Sequence, residues 1–249
     1  MTTSNYKTIM PLLSRYVLTF TVLVATTCGD CTVKGNEFDS TTSYKIRQVH
    51  GWTVHIQRRL LREKREIGSK AYAIVTDQLS MLTRKLPHDK LKRLQQVPIW
   101  ICDRPDGPIH YHPNRQWLVE NGYNPDKAGA VDISRAMNII QSENTQPSVL
   151  LHELAHAFHH QVLSFDHAAI KTAYQNAVKS GKYESVLGIR GKNQRHYALT
   201  NEKEYFAECT EAFFATNDFF PFVRSELQQF DPEIYHVLVR VWGVDPNRR

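Results

Sequence analysis

The chain has 249 residues, 41% hydrophobic and 22% charged, with 31 Lys and Arg against 25 Asp and Glu and a formal net charge of +6. That composition excludes a disordered chain, a collagen-like rod and a coiled coil, and four Cys are too few for a disulfide scaffold. The basic excess permits nucleic acid, an anionic surface or plain solubility. No helix-turn-helix, zinc finger or basic–aromatic motif gathers the charge, so nucleic acid is not an expected partner.

Lys7 and Arg15 precede an uncharged, mostly apolar run from Tyr16 to Ala25, followed by Thr26-Thr27-Cys28-Gly29. A charged start, a short apolar run and small residues read as a signal peptide over residues 1–29. Ten residues are too few for a membrane-spanning helix. A secreted, extracellular product is therefore expected, with no stable membrane span; lipid anchoring at Cys28 is the weaker alternative, because the residues before it match a lipobox poorly. Export would let a disulfide persist between Cys102 and Cys209 if they meet in space. Residues 30–48 are polar with little periodicity and read as a linker or short pro-segment. Residues 49–249 read as one domain.

Within that domain Trp52–Ile56 alternates like a strand. Arg58–Arg65 is a basic loop or helix start. Ser69–Lys85 carries apolar residues at helical spacing, with Pro87 as a stop. Val97–Cys102 and Ala128–Ile133 are short strand candidates, the second a candidate edge strand for extended substrate. Helices are expected from Pro147 to about Val162, over Asp166–Lys179, over Asn201–Ala215 and from Pro232 to Trp242. Strands in the first half and helices in the second favour an α+β domain, with two lobes facing a cleft.

His152-Glu153-Leu154-Ala155-His156 is an HExxH motif. On a helix the two imidazoles stack on one face, a spacing that holds one Zn²⁺. Glu153 is rotated by about 100° from His152, so it can reach a metal-bound water without being a ligand. Chance would produce the motif in this composition with a probability of roughly 0.03, so context must decide. A metzincin needs Gly at 159 and His at 162. Here His159 and Val162 stand there, which excludes that class and leaves His159 and His160 as helix-surface or cleft-rim residues. A third ligand must come from elsewhere. In the Asn201–Ala215 helix, Glu204, Glu208 and Glu211 share one face. Its neighbours are Tyr205, Phe206, Ala207, Phe213 and Phe214, so these carboxylates are expected to be buried and paired.

His152-Glu-Leu-Ala-His156, followed by Tyr197-Ala-Leu-Thr-Asn-Glu-Lys-Glu204-Tyr-Phe-Ala-Glu208, resembles the anthrax lethal-factor-like zinc metallopeptidases, a group that includes the Pro-Pro endopeptidases. The resemblance spans roughly residues 107–227 and is firmest around the two helices. It implies a zincin-like fold: a small twisted sheet and an active-site helix facing a mostly helical C-terminal part. It implies Glu204 as the third zinc ligand beside His152 and His156, Tyr197 pointing its hydroxyl into the site, and Glu208 holding a ligand imidazole. The expected function is a secreted zinc metalloendopeptidase acting on peptides or proteins, with Glu153 as general base, and a monomer. The alternatives are a zinc hydrolase on a non-peptide amide and a zincin-like zinc-binding protein without peptidase activity.

Overall fold

A computed structural model describes residues 38–244, which lie in one compact unit, Asn36–Arg249. The segment read as a signal peptide, Cys28 and the rest of the chain before residue 38 lie outside the described residues. The elements in order are β1 (Tyr44–Val49), β2 (Trp52–Gln57), α1 (Arg58–Arg62), α2 (Arg65–Lys85), α3 (His88–Leu94), β3 (Ile99–Ile101), β4 (Ile109–His112), α4 (Arg115–Glu120), β5 (Ala130–Ile133) and α5 (Ala136–Ser142). Then come α6 (Val149–Phe158), a π-helical turn (His159–Leu163), α7 (Ala168–Ser180), the short β6 (Val186–Leu187) and β7 (Asn193–Gln194), a 3₁₀ turn (Tyr197–Leu199), α8 (Glu202–Phe214), α9 (Arg224–Phe230) and α10 (Pro232–Trp242). The architecture is α+β.

Five strands form a mixed sheet in the order β1-β2-β3-β5-β4. The hairpin β1–β2 is antiparallel, β2–β3 and β3–β5 are parallel, and β4 closes the far edge antiparallel to β5. Two expectations change here. The segment read as a linker to residue 48 contains β1. Its exposed Lys45, Arg47 and Gln48 hide the strand, because an edge strand tolerates polar side chains on both faces. The hairpin turns at His50-Gly51, both at positive φ, where glycine carries no steric cost. The strand read as a candidate edge, β5, is interior. The edge is β4, Ile-His-Tyr-His, whose four residues between prolines give too short an alternation to stand out.

Period-two alternation sorts the side chains into two layers. Val54, Ile56, Ile99, Ile101, Val131, Ile133 and Tyr111 enter the main core with α2, α5, α6 and α8. Trp100, Cys102, Ala130 and Tyr44 form a small cluster on the other face. The main core is continuous from the sheet to the C-terminal helices, where Trp242 stacks on Phe158 at 4.0 Å between centroids. Cys102 and Cys209 are both buried free thiols. Among the described residues, no helix is long and apolar enough to cross a membrane.

Candidate metal centre

Helix α6 is buried on nearly every side, so its polar residues need partners. His152 and His156 project one turn apart toward the start of α8. That start is fixed by Asn201, whose Oδ1 accepts from the N–H groups of Lys203 and Glu204. The cap sets Glu204 in the first turn, facing α6.

Three donor atoms meet there. Glu204 Oε2 lies 3.1 Å from His152 Nε2 and 3.2 Å from His156 Nε2, and the two Nε2 atoms are 3.1 Å apart. In a tetrahedral site with bonds of about 2.0–2.1 Å, ligand atoms stand about 3.3–3.4 Å from one another. The triangle fits such an ion with only a small outward adjustment. Glu153 is not part of it. Its Oε2 accepts from the backbone N–H of Tyr111 at 2.7 Å, which ties the motif to the edge strand β4.

Behind the triangle, His152 Nδ1 is 2.7 Å from Glu211 Oε1 and 3.5 Å from Glu208 Oε1. The carboxylate that holds this imidazole is therefore Glu211, not Glu208. Both lie on one face of α8, and helical spacing alone does not choose between them. Glu208 instead sits between His152 and His196, and its Oε2 has no hydrogen-bond partner. His196 Nδ1, 3.7 Å away, already accepts from the N–H of Ala198 and has no proton to offer. Glu211 Oε2 and Asp218 Oδ1 are likewise buried without partners.

The result is a carboxylate-rich pocket. Glu153, Glu204, Glu208, Glu211 and Asp218 surround His152, and among the described residues none pairs with a Lys or Arg. Burial and the charge of Glu211 push Glu208 well above the usual carboxylate range and Asp218 up to about 7. Burial pulls His152 down, but hydrogen bonds to Glu204 and Glu211 more than reverse it and raise it well above 6.5. Glu204, against burial, is held below its usual range by the two imidazoles.

Tyr197 is half exposed and lines the same cavity, of about 520 Å³, with Glu153, Glu204 and Tyr111. The motif's remaining histidines diverge. His160 is exposed and its Nδ1 is 2.8 Å from the Tyr111 hydroxyl. His159, expected at the surface or rim, is fully buried between Phe165 and Phe206. Its backbone dihedrals are still those of a regular α-helix, so it continues the face of His152 and His156, and that face is covered by Phe206 of α8 rather than by solvent. Glu211, Asp218 and the Tyr111 N–H complete the set; of these only Glu211 left a sequence signal, its place on the face of Glu204.

Residues 119–240 match the family model described as anthrax toxin lethal factor, N- and C-terminal domain. Over this span, which holds α6, α8 and α10, the chain is similar to the lethal-factor-like family. Comparisons with curated proteins and with solved structures gave no significant match.

Proposed function

We propose that the chain is a zinc-dependent metalloendopeptidase of zincin type. One observation carries the reading: two imidazole nitrogens and one carboxylate oxygen converge within 3.2 Å, in a pocket of five carboxylates with no Lys or Arg partner among the described residues. Two His and one carboxylate are the donor set of a catalytic zinc, and His152, His156 and Glu204 would hold it. The ion would supply Lewis-acid polarisation of a scissile carbonyl and a lowered pKa for water.

The chain's own residues supply the rest. Glu153, oriented by the Tyr111 N–H, takes the proton of the attacking water and later delivers it to the leaving amine. Glu211 fixes the tautomer of His152, leaving Nε2 with its lone pair directed at the ligand triangle. Burial and the neighbouring Glu204 raise the Tyr197 phenol above its ordinary value, so it stays protonated and donates to the developing oxyanion. Edge strand β4 pairs with β5 on one side only, and its Tyr111 N–H faces Glu153, so its free edge suits an extended peptide.

A peptide threaded through, rather than one held by an end, fits the cavity shape. The central cavity shares Gln146 and Asp218 with a further hollow of about 300 Å³. On the opposite flank it shares Tyr111, His156 and Glu204 with one of about 390 Å³. Export of the protein rests on the leader-like sequence alone. The test is Glu153→Ala: zinc stays bound and cleavage of a peptide library stops. Cleavage at the wild-type rate would refute the mechanism.

A further inference from the structure

The hollow on the His156 flank carries a feature that peptide hydrolysis as such does not require. Its wall includes Lys203, Phe165, Trp117 and His112. Lys203 stands in the first turn of α8, between Glu202 and Glu204. A cation there opposes the helix dipole, which favours acids at that end, and both neighbours follow the rule. The ammonium is nonetheless held in place: Nζ lies 4.5 Å from the centroid of the Phe165 ring. Among the described residues no carboxylate pairs with it. Asp166, whose charge it feels, is committed to Lys171. Glu204, the one acid on the wall, is turned to the two imidazoles. Across the hollow, His112 and Trp117 stack at 4.0 Å between centroids and make a flat apolar face.

A positioned, unpaired ammonium beside a flat aromatic wall is a recognition element for an anion on a short carbon stem. A local choice that breaks the dipole rule with no carboxylate to pair it is expected at a functional position. We infer that this hollow is the subsite for an acidic substrate side chain, Glu or Asp, next to the scissile bond, with Lys203 as its charge partner and the His112–Trp117 stack as its wall. The inference rests on the peptidase reading above. It also gives the chain's basic excess a local use, since an acidic peptide is drawn toward a protein of net charge +6.

The test uses the full chain carrying Glu153→Ala, which binds without cleaving. Fluorescein-labelled, alanine-rich decapeptides with blocked ends carry one Glu, Gln or Lys at each position in turn, and binding is read by anisotropy. At one position Glu is expected to bind about tenfold tighter than Gln, and Lys weaker than both. Adding Lys203→Met should erase the difference, and Lys203→Glu should favour the Lys peptide, both with unchanged zinc content. A Glu preference that survives Lys203→Met overturns the assignment, as does equal binding of Glu and Gln. Binding only when the Glu peptide has a free C-terminus overturns it too, by assigning Lys203 to a chain-end carboxylate. The peptidase reading is judged separately, on the wild-type protein. If that cleaves library peptides without charge preference, only the Lys203 assignment falls. If it cleaves none, the peptidase reading falls with it.

Discussion

Two buried polar clusters lie on opposite faces of the sheet, and they are balanced differently. On one face Lys127, Asp132 and Cys102 form a closed set. Lys127 Nζ is 2.9 Å from Asp132 Oδ1 and 3.0 Å from Cys102 Sγ. Ser134 donates to Asp132 Oδ2, and Tyr44 donates to Cys102. One positive and one negative charge cancel. Burial alone would raise Asp132, but His110 and Lys127 bring it down to about 2, while burial pushes Cys102 up to about 12. On the other face, five carboxylates surround His152, and three of their oxygens are buried without partners. A satisfied cluster of zero charge holds a fold together. An unsatisfied one, rich in carboxylates, is what the proposed cation would complete.

The largest effect should come from breaking the open cluster at its ligand. Glu204→Ala is expected to lower zinc affinity by more than about 100-fold, beyond the range for outer-sphere partners, and to bring peptide cleavage to background. Zinc content after gel filtration checks it; unchanged affinity would place the third ligand elsewhere. The closed cluster should respond in stability instead. Asp132→Ala strands the buried Lys127 ammonium and is expected to cost about 3–5 kcal/mol, whereas Lys127→Met with Asp132→Leu should be nearly neutral. Urea titration of both variants separates a stabilising pair from a merely satisfied one, and neither should alter zinc content.

A finer break lies within the open cluster. Glu211 makes the 2.7 Å contact to His152, and Glu208 stands off at 3.5 Å. Glu211→Gln should weaken zinc binding by about 10–100-fold, the usual cost of losing the carboxylate behind a ligand histidine. Glu208→Gln should do much less, because Glu208 is already driven toward its neutral form by burial and by Glu211. Equal losses in a zinc-chelator competition would erase the distinction.

What the sequence made legible follows from the range of each interaction. The HExxH spacing needs only a helix, so His152, Glu153 and His156 could be grouped before any tertiary structure was seen. Glu204 lies 48 residues beyond His156, and it entered through family resemblance rather than any local rule. The choice between Glu208 and Glu211 turns on less than 1 Å across two packed helices, which no periodicity encodes. Strands β1 and β4 were hidden for opposite reasons: the first is polar on both faces, the second too short to show a pattern. The amphipathic helices α2 and α10 stood out because apolar periodicity and end signals agree over many residues.

His159 gives the smallest effect and the sharpest reading of burial. Both ring nitrogens lack hydrogen bonds, and burial, reinforced by the nearby His156, His167 and Lys203, lowers it to about 3. In the unfolded chain it titrates near 6.5. Between those values the unfolded state binds a proton that the folded state refuses. Its contribution is therefore neutral above about pH 6.5 and increasingly destabilising as the pH falls toward 3. At pH 5 the penalty is about 2 kcal/mol relative to pH 8. Phe fits the aromatic slot between Phe165 and Phe206 and carries no proton. His159→Phe should therefore gain about 2 kcal/mol more over wild type at pH 5 than at pH 8, measured on zinc-free protein to keep metal linkage out. A gain independent of pH would mean that the imidazole reaches water or a partner on protonation, and that the slot behind α6 is less closed than its packing indicates.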